Sequence, residues 1–276
     1  VLKRLGLPDR KLKLDEWENF LYRINNPEKE VEIAVCGKYS EHLDAYKSII
    51  EAFVHAGSEN NAKVKIRWVN SEACEFENLS ELFKGCSGIL VPGGFGERGI
   101  EGKINTIKFA RENNIPFFGI CLGLQCAVIE FARNVCGIKN ASSTEFKKNR
   151  FNVIDIMPNQ KDVKNLGGTM RLGAYPCYIE KNTKAHEAYK TNYITERHRH
   201  RYEVNNKFRN ELTSNGMIFS GLSPDRELVE MLELSSHPWF VGCQFHPELK
   251  SRATKAHPLF RDFVKASLNY SESVLK

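Results

Sequence analysis

The sequence predicts an α/β protein built on a doubly wound, mostly parallel sheet flanked by helices, with antiparallel additions in its C-terminal half. From Val31 onward, short apolar runs rich in Val, Ile and Phe alternate with helical patterns up to about residue 140. Strands that are apolar on both faces and alternate with helices are typical of a parallel sheet covered on two sides. After residue 140, strand-like runs follow one another with few helices between them, which favours antiparallel additions.

The first predicted element is a linker helix. Its apolar residues Leu14, Trp17, Phe20 and Leu21 recur at the three- and four-residue spacing of one helix face. We expect residues 1–28 to connect a preceding domain to a folded domain over 29–276. In the first half of that domain we predict strands at 31–37, 63–69, 88–94 and 115–120, alternating with helices at 43–57, 79–86, 104–113 and 122–137. In the second half we predict strands at 153–157, 174–180, 217–223, 227–234 and 239–245, then a helix over 258–270.

Composition and charge exclude several classes of protein. A chain of 276 residues with 41% hydrophobic and 27% charged residues can bury a core, so collagen-like and generally disordered classes are excluded. No run approaches the roughly 18 apolar residues of a membrane span, and no signal-peptide core is present, so we expect a cytoplasmic protein without a membrane partner. The net charge of +6 does not by itself indicate nucleic acid. The eight cysteines contain no C-x-x-C pair, so we expect neither a metal site nor disulfides.

The sharpest local feature is Gly119-Ile120-Cys121-Leu122-Gly123, at the junction of a predicted strand and helix. A side chain on such a turn is held outward, and its neighbours two residues away must be small to let the chain bend. The helix N-terminus favours a thiolate over a thiol. Cys121 is therefore a candidate nucleophile; the simpler interpretation is a small buried cysteine with incidental glycines.

A proton carrier for that thiolate is offered by His246-Pro247-Glu248, immediately after the predicted strand 239–245. The two-residue offset lets the carboxylate accept from one imidazole nitrogen and orient the other toward the sulfur. A surface turn would give the same three residues.

Pro92-Gly93-Gly94-Phe95-Gly96 follows the predicted strand at 88–91 and is a candidate oxyanion loop. In acyl transfer, backbone N–H groups can receive the charge on the carbonyl oxygen, and we nominate the amides of Gly94 and Leu122. The alternatives are a tight turn or a phosphate-binding loop, although no G-x-x-x-x-G-K-[ST] motif occurs. Together the three elements describe a cysteine amidase that works through a thioester, with His246 protonating the departing ammonia.

A basic run from Arg197 to Arg201 allows a competing hypothesis of nucleic-acid binding. The run is short and has no second basic cluster, so its footprint is small, and we expect no nucleic-acid partner. Alternation along an extended segment would point Arg197, Arg199 and Arg201 to one face and the two intervening histidines to the other.

Three motifs in this order, P-G-G-F-G, G-I-C-L-G-x-Q and F-H-P-E, resemble those of the class I glutamine amidotransferases. The segments 143–146, 167–173 and 196–205 are more specific and are similar to the glutaminase domains of the CTP synthase family. The resemblance covers roughly residues 29–270. It implies a ligase of pyrimidine nucleotide biosynthesis, with this chain as its glutaminase half.

The resemblance also implies a role for each matching residue. Cys121 would be the nucleophile, His246 the general base and acid, and Glu248 its orienting partner. Glu145 would meet the α-ammonium of glutamine and Arg201 its α-carboxylate, since a zwitterion needs one anion and one cation held apart. The glutamine and oxyanion site would comprise Gly94, Leu122, Gly123, Leu124, Gln125, Glu145, Arg201 and Tyr202.

Further partners follow from the same resemblance. No cofactor is expected in this chain; ATP, Mg²⁺ and UTP would bind an N-terminal synthetase domain of the same polypeptide, GTP would be an allosteric effector, and the full-length protein would be a homo-oligomer. Two alternatives remain open: a glutaminase serving another synthetase, such as one making GMP, anthranilate or carbamoyl phosphate, and a catalytically silent module that keeps the fold for interaction.

Overall fold

The computed structural model describes residues 1–8, 12–38, 43–156 and 170–274, and their strands form two sheets. The strands are β1 (Lys29–Gly37), β2 (Ala62–Asn70), β3 (Gly88–Val91), β4 (Phe117–Ile120), β5 (Ser142–Ser143), β6 (Asn152–Ile156), β7 (Arg171–Ile179), β8 (Tyr193–His200), β9 (Tyr202–Val204), β10 (Met217–Leu222), β11 (Val229–Leu234) and β12 (Phe240–Cys243). The helices are α1 (Asp15–Asn25), α2 (Lys47–Glu59), α3 (Leu79–Leu82), α4 (Ile100–Glu112), α5 (Leu122–Asn134), α6 (Lys184–Tyr189), α7 (Arg209–Ser214) and α8 (Pro258–Val274).

Within the described residues, the larger sheet has nine strands in the order β2-β1-β3-β4-β12-β11-β10-β7-β8. The pairs from β2 to β12 are parallel, and the pairs from β12 to β8 are antiparallel. The predicted fold class, including the antiparallel additions of the C-terminal half, is confirmed. β5, β6 and β9 form the smaller sheet beside it.

Strand β1 shows why the sheet is covered on both faces. Its alternate residues Ile33 and Val35 pack on the side of α2 and α8, in a core that includes Phe53 and Phe260, whose ring centroids are 5.3 Å apart. Ala34, which lies between them, packs on the opposite side with α4 and α5. Because successive side chains of a strand point to opposite faces, a strand that is apolar throughout is buried on both.

Most predicted boundaries agree with the structure, and the differences have local causes. The helix predicted over 79–86 ends at Leu82, before Gly85, whose φ of 80° lies in the left-handed region. The strand predicted over 88–94 ends at Val91, where Pro92 cannot donate to a neighbouring strand. Helices α6 and α7 were not predicted, because six residues are too few to show a helical period. The last residue of the strand predicted over 153–157 lies outside the described residues.

The predicted N-terminal helix is present as α1. Its apolar face is only partly covered: Trp17 is 52% exposed, while the Phe20 ring lies 6.0 Å from that of His55 on α2. The role of residues 1–28 as a connection to another domain stays a prediction. Across the described ranges, no helix combines the length and apolar character needed to cross a membrane.

Candidate active site

The candidate catalytic residues meet where three neighbouring parallel strands end. Val91 of β3 pairs with Gly119 of β4, and Gly119 pairs with Gly242 of β12. Carboxyl ends of parallel strands lie at one edge of a sheet, which is where α/β proteins form their sites. The glycine loop after β3, Cys121 after β4 and His246 after β12 therefore arrive at the same edge.

Cys121 occupies the predicted sharp turn between β4 and α5. Its φ of 53° and ψ of −101° are unusual for a residue with a side chain and correspond to a strain of about 1–3 kcal/mol. Two backbone hydrogen bonds hold this conformation. The Cys121 N–H donates to the Cys243 carbonyl oxygen at 2.7 Å, and the backbone N–H of Gln125 donates to the Cys121 carbonyl oxygen. The residue is 4% exposed.

The two glycines that flank the turn are required by close packing. A Cβ on Gly123 would lie 2.1 Å from the carbonyl oxygen of Val91, and one on Gly119 would lie 2.8 Å from the Gly123 carbonyl carbon. Both contacts are with backbone atoms, which cannot move aside without shifting α5 or β3. The prediction that both positions must be small is confirmed.

His246 faces Cys121 and is oriented by Glu248. The imidazole Nδ1 lies 2.7 Å from Glu248 Oε1. A Cβ on Gly93 would lie 2.9 Å from His246 Cε1 and 3.5 Å from Cys121 Cβ, so both side chains lie next to this glycine. Nε2 of His246 has no hydrogen-bond partner of ordinary geometry among the described residues, but the Cys121 thiol is close enough to affect the pKa of the ring. Burial alone would lower the pKa of His246, but contact with Cys121 and Glu248 outweighs it and raises the pKa to about 10.

The residues of the two nominated oxyanion donors, Gly94 and Leu122, are neighbours in the structure. A Cβ on Gly94 would come 3.3 Å from Leu122 Cδ2. Neither the Gly94 nor the Leu122 amide donates to another group among the described residues. Leu122 opens α5, whose first-turn N–H groups have no intrahelical acceptor and carry the positive end of the helix dipole.

Cys121 opens into a pocket of about 240 Å³ that holds most of the predicted glutamine-binding residues. It is lined by Gly94, Phe95, Cys121, Gln125, Glu145, Met170, His200, Arg201 and Tyr202. Burial raises the pKa of Glu145, although its Oε1 accepts from the Gly96 amide at 2.8 Å. The side-chain Nε2 of Gln125 donates to the Tyr202 carbonyl oxygen at 3.0 Å, so Gln125 connects α5 to β9.

Three residues of the predicted glutamine and oxyanion site do not line the pocket, namely Leu122, Gly123 and Leu124. Gly123 packs against β3, and the Leu124 side chain is fully buried in the core, so only their backbone could act in the site. Conversely, Phe95, Met170 and His200 line the pocket and were not predicted. Residues 167–169 of the segment 167–173 lie outside the described residues.

Two lysines beneath the glycine loop were also missed. Lys103 of α4 is 1% exposed, with its Nζ 3.8 Å from where a Gly94 Cβ would lie, and burial lowers its pKa. Lys38 follows β1; burial and the charge of Lys103 lower its pKa to about 8, against the pull of Glu145. Lys38 stands in Gly37-Lys38-Tyr39, which the sequence offers only as an incomplete phosphate-loop pattern, and Lys103 lies within an ordinary helical pattern.

The basic run alternates as predicted along β8 as far as His200, but Arg201 lies beyond the strand and lines the pocket together with His200. Arg197 and Arg199 are exposed, whereas His198 and His200 are buried. The buried histidines join a cluster of charged residues: His200 Nε2 lies 2.6 Å from Glu203 Oε1, and His198 Nδ1 lies 3.6 Å from Glu230 Oε2. Burial, with further contributions from nearby positive groups, lowers the pKa of His198 to about 2.

Other parts of the surface are less suited to chemistry. A larger groove of about 750 Å³ is lined by residues such as Glu97, Arg133 and Phe151 and contains none of the candidate catalytic residues. Within the described ranges, no group of three or more His, Cys, Asp or Glu residues could hold a metal ion.

Comparisons with known proteins identify the family to which the chain belongs. The family model for glutamine amidotransferase class-I matches residues 41–266. The CTP synthase of Caldanaerobacter subterraneus subsp. tengcongensis is 58% identical over 270 residues, which are 98% of this chain and 50% of that protein. The chain thus spans about half the length of the curated relatives it matches.

Solved structures give the same result. The glutaminase domain of Trypanosoma brucei CTPS, with bound acivicin, superposes with a TM-score of 0.81 at 40% identity, covering 87% of this chain and 94% of that one. A putative GMP synthase subunit from Thermoplasma acidophilum superposes with a TM-score of 0.56 at 17% identity, covering 89% and 98% of the two chains. The second likeness shows the fold alone.

Proposed function

The chain belongs to the class-I glutamine amidotransferases and, within them, to the glutaminase domains of CTP synthases, and we propose that it hydrolyses the side-chain amide of L-glutamine through a thioester on Cys121. One observation carries this proposal. A strained cysteine stands at the bend after β4, beside a histidine paired with Glu248, at the mouth of a pocket that contains Glu145 and Arg201.

The first half of the reaction uses Cys121 and His246 as an ion pair. The Cys121 thiolate attacks the amide carbon; a C–S bond forms, and the carbonyl electron pair moves to oxygen. The amides of Gly94 and Leu122 receive that charge. His246, held as imidazolium by the influences that raise its pKa, gives its Nε2 proton to the departing nitrogen, and ammonia leaves.

The second half returns the enzyme to its starting state. His246 is now neutral and takes a proton from water as the water attacks the thioester carbon. The C–S bond breaks, glutamate leaves, and thiolate and imidazolium are restored. Glu248 stabilises the imidazolium in both halves through its contact with Nδ1.

Recognition of glutamine uses the two charged residues of the pocket. Glu145 would accept from the α-ammonium and Arg201 would donate to the α-carboxylate. Tyr202 lies in the same wall. A half-buried carboxylate next to a cation suits a free zwitterionic amino acid better than a glutamine residue inside a peptide, whose α-groups are uncharged.

In the full-length protein, we propose that the ammonia is passed to UTP activated by ATP, as the resemblance to the CTP synthase family implies. ATP and Mg²⁺ would act in the other half of the polypeptide and GTP would promote the glutaminase step, while this chain needs no cofactor for hydrolysis. Transfer within the protein is physically reasonable, because ammonia in neutral water is mostly ammonium, which has no free electron pair. The sequence identities to CTP synthases favour this assignment over a glutaminase for GMP, anthranilate or carbamoyl phosphate synthesis.

The test combines ammonia release with covalent labelling. The protein should release ammonia from glutamine, and 6-diazo-5-oxo-L-norleucine should add one mass increment on the peptide containing Cys121. Cys121→Ser should lose the adduct, whereas Cys136→Ser, a partly buried cysteine remote from the pocket, should keep it. No adduct on Cys121 would refute the proposal and favour the catalytically silent module.

A further inference from the structure

The glycine loop that would provide an oxyanion donor is held from below by a lysine outside the predicted catalytic set. Lys38 is 9% exposed, and its Nζ donates to the carbonyl oxygens of Phe95 at 2.5 Å and Gly96 at 2.8 Å. Lys38 follows β1, which is hydrogen-bonded to β3, the strand that leads into the loop. The contacts therefore join the loop to the end of a neighbouring strand in the sheet.

A second side chain holds the same loop. The Gly96 amide donates to Glu145 Oε1 at 2.8 Å. The Phe95 oxygen, the Gly96 oxygen and the Gly96 amide are thus all engaged, while the Gly94 amide has no acceptor among the described residues. The peptide group between Phe95 and Gly96 is thus held at both its oxygen and its nitrogen, and the one after Gly96 is held at its oxygen. These anchors lie one residue beyond Gly94, whose own amide is left open.

The loop needs such support because of its composition. Residues 93, 94 and 96 are glycines, which populate more backbone conformations than other residues. An oxyanion donor works only if it is aimed in advance at the place where charge develops. Burying the Lys38 ammonium near Lys103 is unfavourable by itself, and the two carbonyl contacts with the charge of Glu145 offset that cost.

We propose that Lys38 is a positioning residue for glutamine hydrolysis, which holds the loop 93–96 so that the Gly94 amide points at the developing oxyanion. This inference rests on the proposed function. Lys38 does not touch the reacting atoms; it acts through the backbone of Phe95 and Gly96. Its removal should lower kcat and leave KM for glutamine nearly unchanged, since the oxyanion exists only after the thiolate has attacked.

The test compares two reactions of the same sulfur. Glutamine hydrolysis develops an oxyanion. Alkylation by iodoacetamide does not: the sulfur attacks the CH₂ carbon, the C–I bond breaks, and iodide leaves with the electron pair. Lys38→Met keeps the length of the side chain and removes its donors, and a misaimed donor should lower kcat about 100-fold. The alkylation rate of Cys121, followed by mass spectrometry of its peptide, should stay at the wild-type value.

Two further variants serve as controls. Lys38→Arg keeps N–H donors and should recover most of the loss. Lys84→Met removes an exposed lysine far from the pocket and should behave as wild type in both reactions. Equal kcat values in Lys38→Met and wild type would overturn the inference. So would an alkylation rate of Cys121 that falls as much as kcat, or a raised KM for glutamine with an unchanged kcat. Failure of the proposed function would appear differently, as wild-type protein that releases no ammonia.

Discussion

Replacing His198 by Phe should make the protein less sensitive to acid. His198 lies on the buried face of β8, with its ring 5.6 Å from Tyr175 and 5.8 Å from Phe245, both edge to face. Neither ring nitrogen has a hydrogen-bond partner within the described structure. Phenylalanine would therefore keep the aromatic packing and sacrifice no hydrogen bond.

The magnitude follows from the pKa of His198, which burial lowers from 6.5 to about 2. Between these values the unfolded chain binds a proton that the folded protein does not, so stability falls as the pH falls below 6.5. From pH 7.5 to pH 5.0 this group should cost about 2 kcal/mol. A folded-state pKa anywhere well below 5 gives the same cost, because the protonation of the unfolded chain sets it.

Urea unfolding at pH 7.5 and pH 5.0 measures the effect. The wild-type protein should lose about 2 kcal/mol more than His198→Phe between the two pH values. Glu230, whose pKa is raised to about 7 chiefly by burial, works in the opposite direction and is present in both proteins. Its Oε2 lies 3.6 Å from Nδ1 of His198, so the measured difference also contains the effect of His198 on the titration of Glu230. Tyr175→Phe, which alters the neighbouring ring and keeps the histidine, is the matched control. An equal pH dependence in wild type and His198→Phe would refute the reasoning.

Three other predictions concern the turn that carries Cys121 and the histidine that carries its proton. If Cys121 and His246 act as one unit, replacing either by Ala should lower glutamine turnover by about three orders of magnitude or more, with little further loss in the double variant; additive losses in steady-state assays would contradict this. Gly123→Ala places a methyl group 2.1 Å from the Val91 oxygen, so urea unfolding should show a loss of about 1–3 kcal/mol and turnover should fall about 100-fold. Wild-type stability and turnover in Gly123→Ala would show that the turn at Cys121 can adjust to the methyl group. Glu248→Gln removes one of the groups that raise the His246 pKa to about 10, so NMR titration of the ring should give a lower midpoint; an unchanged one would mean that Cys121 alone sets it.

Local features of the site could be predicted because their causes lie within a few residues. The bend at Cys121 needs small neighbours on both sides, and Gly119 and Gly123 stand there in the sequence. The pairing of His246 with Glu248 needs only a two-residue offset. His246 and Glu248, like Gly119 and Gly123, lie within one turn of chain, so the spacing carries the geometry. The contact of Gly123 with Val91 of β3 comes instead from the assembled sheet.

Lys38 shows why other parts could not be predicted. Its partners, the carbonyl oxygens of Phe95 and Gly96, are backbone atoms that every residue possesses, so no residue type marks them. The alternation of β8 predicted that His198 would lie on the face opposite Arg197 and Arg199, but it could not predict that Glu230 of β11 would face it. Such contacts depend on which strands become neighbours.

The sequence by itself determined the alternation of strands and helices in the first half of the chain, the bend that presents Cys121, and the residue types needed for amide hydrolysis, because apolar periodicity and glycine spacing act over short distances. The tertiary structure decided that β12, formed near the end of the chain, lies beside β4 and brings His246 to Cys121. That pairing arises from burial of both faces of the whole sheet between two layers of helices. It is a property of the assembled core, which no local segment encodes.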